Sequence, residues 1–331
     1  MEKKIRVGIN GYGNIGKACE YIITNYYPDM ELKAIFSRRN IAAKSNAQVI
    51  SSSKIMEWED ELDVLIMCNG SKDDLPLEGS LMASIFNTVD SYDNHSRMTE
   101  YYNKMNQAAK DGDNLAIIGA GWDPGKFSKE RIEASAYYPD GYITSFWGIG
   151  VSQGHTNAIK EFNKTFRKNW IIDAIQYTHP IEEAMDLAKK GQAENLTARD
   201  KHWRECFIAI TPKANEKEIE NWIKHMPDYF EPYKTIVHFV SLEEINQRKE
   251  AMFHAGKVIG HGLSEGGENQ ISEYSLDIAS NPEHTARILV AHARANYKLR
   301  KEGQIGALPA AFISVDKLHY ESIDVLIKKF I

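Results

Sequence analysis

Cysteine is scarce in this chain, and its spacing suggests no pairing. Cys19, Cys68 and Cys206 form no CxxC motif and leave an odd count. This argues against a disulfide framework or a cysteine-based zinc site, and it fits a reducing compartment. The 11 histidines show no HExxH or similar ligand spacing, so no metal is expected. A basic block is missing as well. With 46 acids against 40 bases the formal charge is −6, which excludes nucleic acid and anionic membrane as expected partners. No stretch reaches the roughly 18 apolar residues of a membrane span. The start, MEKKIRVGIN, runs from charges into a short apolar strand without the longer apolar segment and cleavage site of a secretory signal. A cytoplasmic protein is expected.

What is present is length and rhythm. A chain of 331 residues can hold two domains, each with its own core. In the first third, KIRVGIN, ELKAIF, DVLIMC, IFNTV and NLAIIGA read as strands alternating with helical stretches, one of which ends at Gly112. Such alternation predicts an α/β fold, a Rossmann-type doubly wound parallel sheet. After Gly125 the strands lengthen: YITSFWGIGV, DAIQYTH, RECFIAI, KTIVHFV and ISEYSLDIA, with helices at IEEAMDLAKKG and EKEIENWIKHMP. That pattern predicts an α+β domain with a mixed or antiparallel sheet. HTARILVAHARANYKLRKEG is helical by its three- and four-residue apolar spacing. The expected division is a dinucleotide-binding domain over residues 1–124, completed by about 285–331, and a substrate-binding and dimerisation domain over 125–284.

Gly11, Gly13 and Gly16 complete a GxGxxG between a predicted strand and a predicted helix. The first glycine permits the tight turn, the second lets backbone approach a pyrophosphate, and the third lets helix pack on strand. The helix start, Asn14 and Ile15, then offers free N–H groups to the phosphates. An NAD site carries Asp or Glu about 20 residues on, at the end of the second strand. Here that place reads Ser37-Arg38-Arg39. A carboxylate repels a 2′-phosphate and a guanidinium fork grips it, so the cofactor expected is NADP. The bland alternative is a pair of solvated loop arginines.

Ligands of a doubly wound sheet lie beyond the strand carboxyl ends. Those ends read CNGS (Cys68, Asn69, Gly70, Ser71), VDSYDNH (with Asp90, Ser91, Tyr92 and Asp93) and GAGWDPG (with Trp122 and Asp123). Carboxylates there suit a substrate ammonium, although each taken alone is also ordinary turn and capping chemistry. Cofactor contacts are expected from Gly11, Tyr12, Gly13, Asn14, Ile15, Ser37, Arg38, Arg39, Cys68 to Ser71, and Ser91 to Asp93.

Together, GYGNIG, IFSRR, VDSYDNH, GWDPG, FWGIGVSQGH, QYTHP and NPEHTA, in this order along nearly the whole chain, resemble the meso-diaminopimelate dehydrogenase family. The resemblance implies an NADP-dependent homodimer. It would oxidatively deaminate the D-centre of meso-2,6-diaminopimelate to L-2-amino-6-oxopimelate, which cyclises to tetrahydrodipicolinate, in lysine and cell-wall precursor metabolism. It also implies catalytic roles for Asp93 and Asp123, with Trp122, Trp147, Gln153 and Gly154 around the reacting centre. Thr178, Arg204, His254 and Asn281 would hold the far, L-configured end. The chain departs from the family pattern at NKTFRKNW, at Ala120 and Lys126, and at HGLSEGGENQ. Other readings are a different NADP reductase of the aspartate pathway, similar to dihydrodipicolinate reductase, and a non-catalytic NADP sensor. A semialdehyde dehydrogenase needs a nucleophilic cysteine that neither Cys68 nor Cys206 suits.

Overall fold

Strands that carry apolar side chains on both faces must be covered on both faces, and the first third of the chain is built that way. The computed structural model describes residues 3–331 apart from 228, 232, 251 and 252. Its chain forms two compact units, Met1–Lys129 with Pro282–Ile331, and Glu130–Asn281.

In the first unit β1 (Ile5–Asn10), β2 (Met30–Ser37), β3 (Gln48–Ser51), β4 (Val64–Met67), β5 (Thr88–Asp90) and β6 (Leu115–Ile118) join the late strand Gly306–Pro309 in one sheet. All pairs are parallel, and the order is Gly306–Pro309, β6, β5, β4, β1, β2, β3. One face (Val7, Ile9, Ile35, Ile66, Val89, Ile117) packs on α1 (Asn14–Tyr26) and the long helix Asn281–Lys301 through Cys19, Ile22, Leu289 and Ala293. The other face (Phe36, Leu65, Met67, Ile118) packs on α2 (Asp74–Ala83) and α3 (Met98–Asp111) through Leu75, Met82, Tyr101 and Met105. Phe36 is fully buried, so its loss to Ala would cost about 3–5 kcal/mol. Asn296 ties the long helix to the sheet. Its buried amide donates to the Thr88 and Leu115 carbonyls, each at 2.9 Å. Two of these seven strands, β3 and Gly306–Pro309, are the edge strands, where half-exposed side chains and a proline blur the apolar run that marks the others.

The second unit holds two sheets. β7 (Tyr142–Trp147) pairs with β12 (His254–Leu263), which pairs with β13 (Asn269–Ile278), all antiparallel. The other sheet is mixed, in the order β11 (Thr235–Phe239), β10 (His202–Ile210), β9 (Ile171–Pro180), β8 (Gly150–Val151), with β10 and β11 parallel. YITSFWGIGV reads as one strand but breaks at Gly148, whose φ of 115° suits glycine and sends β7 and β8 to different sheets. β12 escapes the sequence pattern because Gly256, Gly260 and Gly262 lower its strand propensity. Packing requires at least the last, since a Cβ on Gly262 would lie 2.6 Å from the Tyr138 ring.

Candidate active site

Strand order in the parallel sheet reverses between β1 and β4, and such a switch point is where a doubly wound sheet takes its ligand. The loop GYGNIG follows β1 there. Gly11 has φ of 98°, and a Cβ on Gly16 would fall 2.2 Å from the Gly11 carbonyl oxygen. The turn and the helix contact both need glycine. Gly13 differs: nothing lies within 4 Å of where its Cβ would be, and no side chain caps α1 after it. The uncapped N–H groups at Asn14 and Ile15 adjoin that open space. Beside Gly11 the buried Asn69 Oδ1 has no hydrogen-bond partner among the described residues. These residues fit a dinucleotide pyrophosphate. Tyr12 contributes backbone only, because its buried hydroxyl donates to Glu20. Burial and that carboxylate push the phenol up to about 12.

The two arginines part company. Arg39 turns back toward the glycine loop, its Nη2 donating to the Tyr12 carbonyl at 3.4 Å. Ser37 Oγ accepts the Arg39 N–H at 3.1 Å and donates to the Arg39 carbonyl at 2.9 Å, which shapes the corner after β2. Arg38 instead grips Asp74 bidentately at 3.0 and 3.1 Å, with its side chain 66% exposed. An exposed pair of this kind is weak, so a stronger anion can take Arg38 over. Asp74 escaped the sequence reading because it lies 36 positions away.

At the next strand ends the acids separate into two kinds. Asp90, placed in the crevice by sequence position, is fully buried instead. It accepts from the Tyr92 N–H, the Tyr101 hydroxyl and the Gly119 N–H at 2.9, 2.9 and 3.2 Å. Burial pushes its carboxyl up to about 6. Tyr92 is also interior, its ring stacked on Tyr101 at 3.9 Å, which leaves Ser91 and Asp93 as the more open residues of that loop. Asp93 is exposed; its carboxylate accepts from Ser71 Oγ at 2.6 Å, and Ser71 Oγ accepts the Asp93 N–H at 3.0 Å. This joins the β4 and β5 ends and brings Cys68 to Ser71 beside Asp93. The Asp123 side chain is 2% exposed, and His95 Nε2 lies 3.9 Å from it. Trp122 meets Phe127 edge-on at 5.2 Å.

In the second unit Thr178 on β9 and Arg204 on β10 are direct cross-strand partners, and an Arg204 Nη1 donates to Thr178 Oγ1. Arg204 is buried, and its guanidinium lies 4.0 Å over the Tyr233 ring. Among the described residues its Nε has no hydrogen-bond partner and no carboxylate comes within ion-pair distance. Burial lowers its pKa. A buried cation left this way is costly unless an anion meets it. His155, in the helix Gln153–Lys160, contacts Ser152 Oγ at 2.7 Å and is pushed down to about 4, first by burial and then by Arg204. His202 accepts the Trp147 N–H at 2.9 Å through Nε2, and burial pushes it to about 4 as well. It therefore stays neutral and pins the Trp147 backbone. His254 opens β12, Gly154 is exposed, and Asn281 opens the long helix. The Gln153 side chain lies outside the described residues.

Residues 121–280 match the family described as Diaminopimelic acid dehydrogenase C-terminal domain. The meso-diaminopimelate D-dehydrogenase of Ureibacillus thermosphaericus is 45% identical over 307 residues, 92% of each chain. The chain belongs to the meso-diaminopimelate D-dehydrogenase family. Solved members of similar form include a meso-dapdh mutant with DAP from Clostridium tetani E88, at TM-score 0.90 and 41% identity, covering 99% of this chain and 100% of that one. An engineered D-amino acid dehydrogenase bound to NADP+ has TM-score 0.84 and 36% identity, with the same coverage.

Within the family frame, the sequence missed His155, His202 and Tyr233. His202 and Arg204 lie two apart on one strand, so strand periodicity alone sets them on one face. Tyr233 precedes β11, and nothing local marks it as a partner of Arg204.

Proposed function

We propose that the protein catalyses the NADP-dependent oxidative deamination of the D-centre of meso-2,6-diaminopimelate. Loss of hydride to NADP leaves an imine that water hydrolyses, so the products are NADPH, ammonia and L-2-amino-6-oxopimelate, which cyclises to tetrahydrodipicolinate. The reaction is reversible and serves lysine and peptidoglycan precursor synthesis, and the enzyme acts as a cytoplasmic homodimer. One observation carries this reading: the buried Arg204 guanidinium, held by Thr178 and Tyr233, lacks an anion of its own among the described residues. A substrate with a second carboxylate supplies it. A protein that only senses NADP has no use for such a group, and burial pushes the Cys206 thiol up, away from nucleophile chemistry.

Bound at the glycine loop, the nicotinamide cofactor supplies a hydride acceptor. Asp93 and Asp123 orient the reacting ammonium and take its proton, with Ser71 fixing the Asp93 carboxylate. Trp122 and Trp147 limit water at the reacting centre, the latter positioned by His202. Arg204 and Thr178 hold the L-end carboxylate, with His254 and Asn281 as further polar contacts and Gln153 and Gly154 near the reacting end. Anchoring one end lets the other present its hydrogen, so hand is read through distance. The test is NADPH formation with meso, L,L and D,D isomers supplied separately, each with NADP and with NAD. Turnover of meso with NADP is expected. Comparable turnover of the L,L isomer overturns the assignment.

A further inference from the structure

At the opposite ends of the strands from the glycine loop the first unit has a cavity of about 560 Å³. It is lined by Lys3, Lys4, Arg294, Lys298 and two tyrosines, Tyr297 and Tyr320, with Ile5, Pro28 and Asp29. Ile5 begins β1 and Gly11 follows its end, so the cavity and the cofactor loop lie roughly 20 Å apart along the strand. The dehydrogenase chemistry does not use it.

Its charge is out of character for the molecule. The chain as a whole carries −6, yet among the described residues four cations line this cavity with one carboxylate. That carboxylate is spent: Asp29 takes the Arg294 fork at 2.6 and 2.7 Å, and Arg294 Nη1 also donates to the Leu318 carbonyl at 2.8 Å. Three ammonium groups remain, and among the described residues no carboxylate lies within ion-pair distance of any of them. Lys298 is the most constrained. It is half-buried, and its Nζ donates to the His319 carbonyl at 2.6 Å and the Asp316 carbonyl at 3.4 Å, which leaves one donor. Burial, and then Arg294, lower its pKa. Lys3 and Lys4 are exposed, and their flexible stems let both ammoniums turn toward an anion in the cavity.

We infer that this cavity is a second binding site, for a small anion bearing at least two linked phosphates. The donor chemistry selects phosphate over carboxylate. Bidentate recognition of a planar carboxylate needs a guanidinium fork, and the one fork present is held by Asp29. Three ammoniums are compact point charges with rotatable donors, suited to several oxygens of a polyphosphate. Tyr297 and Tyr320 complete the wall.

The probe is pyrophosphate, titrated calorimetrically into the full chain saturated with NADP, at constant ionic strength. Inorganic phosphate and citrate serve as separate arms. Pyrophosphate should bind at least about ten-fold tighter than either, since two phosphates engage more ammoniums than one. Lys298→Gln should weaken it about ten-fold and Lys4→Gln about three-fold, with NADP affinity unchanged. Asp29→Asn removes the one acid and frees the Arg294 fork, so it should tighten pyrophosphate, a gain that misfolding cannot imitate. The inference is overturned by absence of heat beyond dilution, by indifference to all three substitutions, or by citrate binding more tightly than pyrophosphate. It is equally overturned if pyrophosphate binds only when NADP is withheld, because the cofactor loop is then its site.

Discussion

Replacing Arg204 by Met separates a binding cation from a structural one. The side chain keeps its length and its packing against Tyr233, and loses its charge, its bond to Thr178 and its stacking as a cation. On stability the terms oppose. A hydrogen bond from a charged donor contributes about 1.5–3 kcal/mol and a desolvated cation–π contact about 2. Against them stands the burial of an ion without a charge partner, a penalty of several kcal/mol. The opposing terms are of similar size, so the substrate-free variant should stay within about 1 kcal/mol of the parent. Each kcal/mol shifts Tm by roughly 2–4 °C in a unit of this size. On binding the terms do not oppose. A carboxylate held by two charge-assisted bonds loses about 3 kcal/mol or more, above a hundred-fold in KM. Because the L-end does not react, that loss falls equally on ground and transition states, and kcat should stay within about three-fold. Steady-state kinetics on meso-diaminopimelate and a thermal melt without substrate decide the matter. An unchanged KM with a Tm lower by several degrees would show that Arg204 holds the fold rather than the substrate.

Other consequences can be measured alongside. Arg38→Ala with Arg39→Ala should weaken NADP by about ten-fold or more and leave NAD within about two-fold; equal losses would refute the 2′-phosphate reading. Oxidative turnover should rise from neutral to mildly alkaline pH, because the amine must be neutral to lose hydride and amine-side carboxylates favour its ammonium; a flat rate profile contradicts this. His155 and His202 protonate at about 4 in the fold, so the unfolded chain takes protons first. Their stabilisation is full above about pH 6.5 and is lost toward pH 4, about 3 kcal/mol each. Asp90 runs the other way: with its folded value raised to about 6, it regains about 2 kcal/mol as pH falls from 7 to 4. Asp90→Asn keeps its bonds to the Tyr92 and Gly119 N–H groups and lets the Tyr101 hydroxyl accept. Denaturant melts at both pH values should show it losing about 2 kcal/mol more than the parent between them. Equal losses would place the Asp90 charge outside the balance.

Short-range regularities were legible in the chain alone. Apolar runs on both strand faces required a doubly covered parallel sheet, and GYGNIG required a turn that takes a pyrophosphate. Two adjacent arginines after β2 stood where an NAD site carries an acid, which is what raised the expectation of NADP. Each of these signals is complete within a few residues, because backbone conformation and local charge are set by neighbours in sequence. Burial and pairing are not. Asp90 and Asp93 are three positions apart and look alike, yet one is sealed beneath Tyr101 and the other meets Ser71 in the open. Arg38 is turned aside by Asp74, 36 positions away, while Arg39 is not. β12 was hidden by glycines whose purpose is a neighbour's ring, visible only once Tyr138 is placed against Gly262. Thr178 and Arg204, 26 positions apart, became one site through strand register. Only the tertiary structure could make that register, since it alone decides which side chains share a face and which charges lose their water.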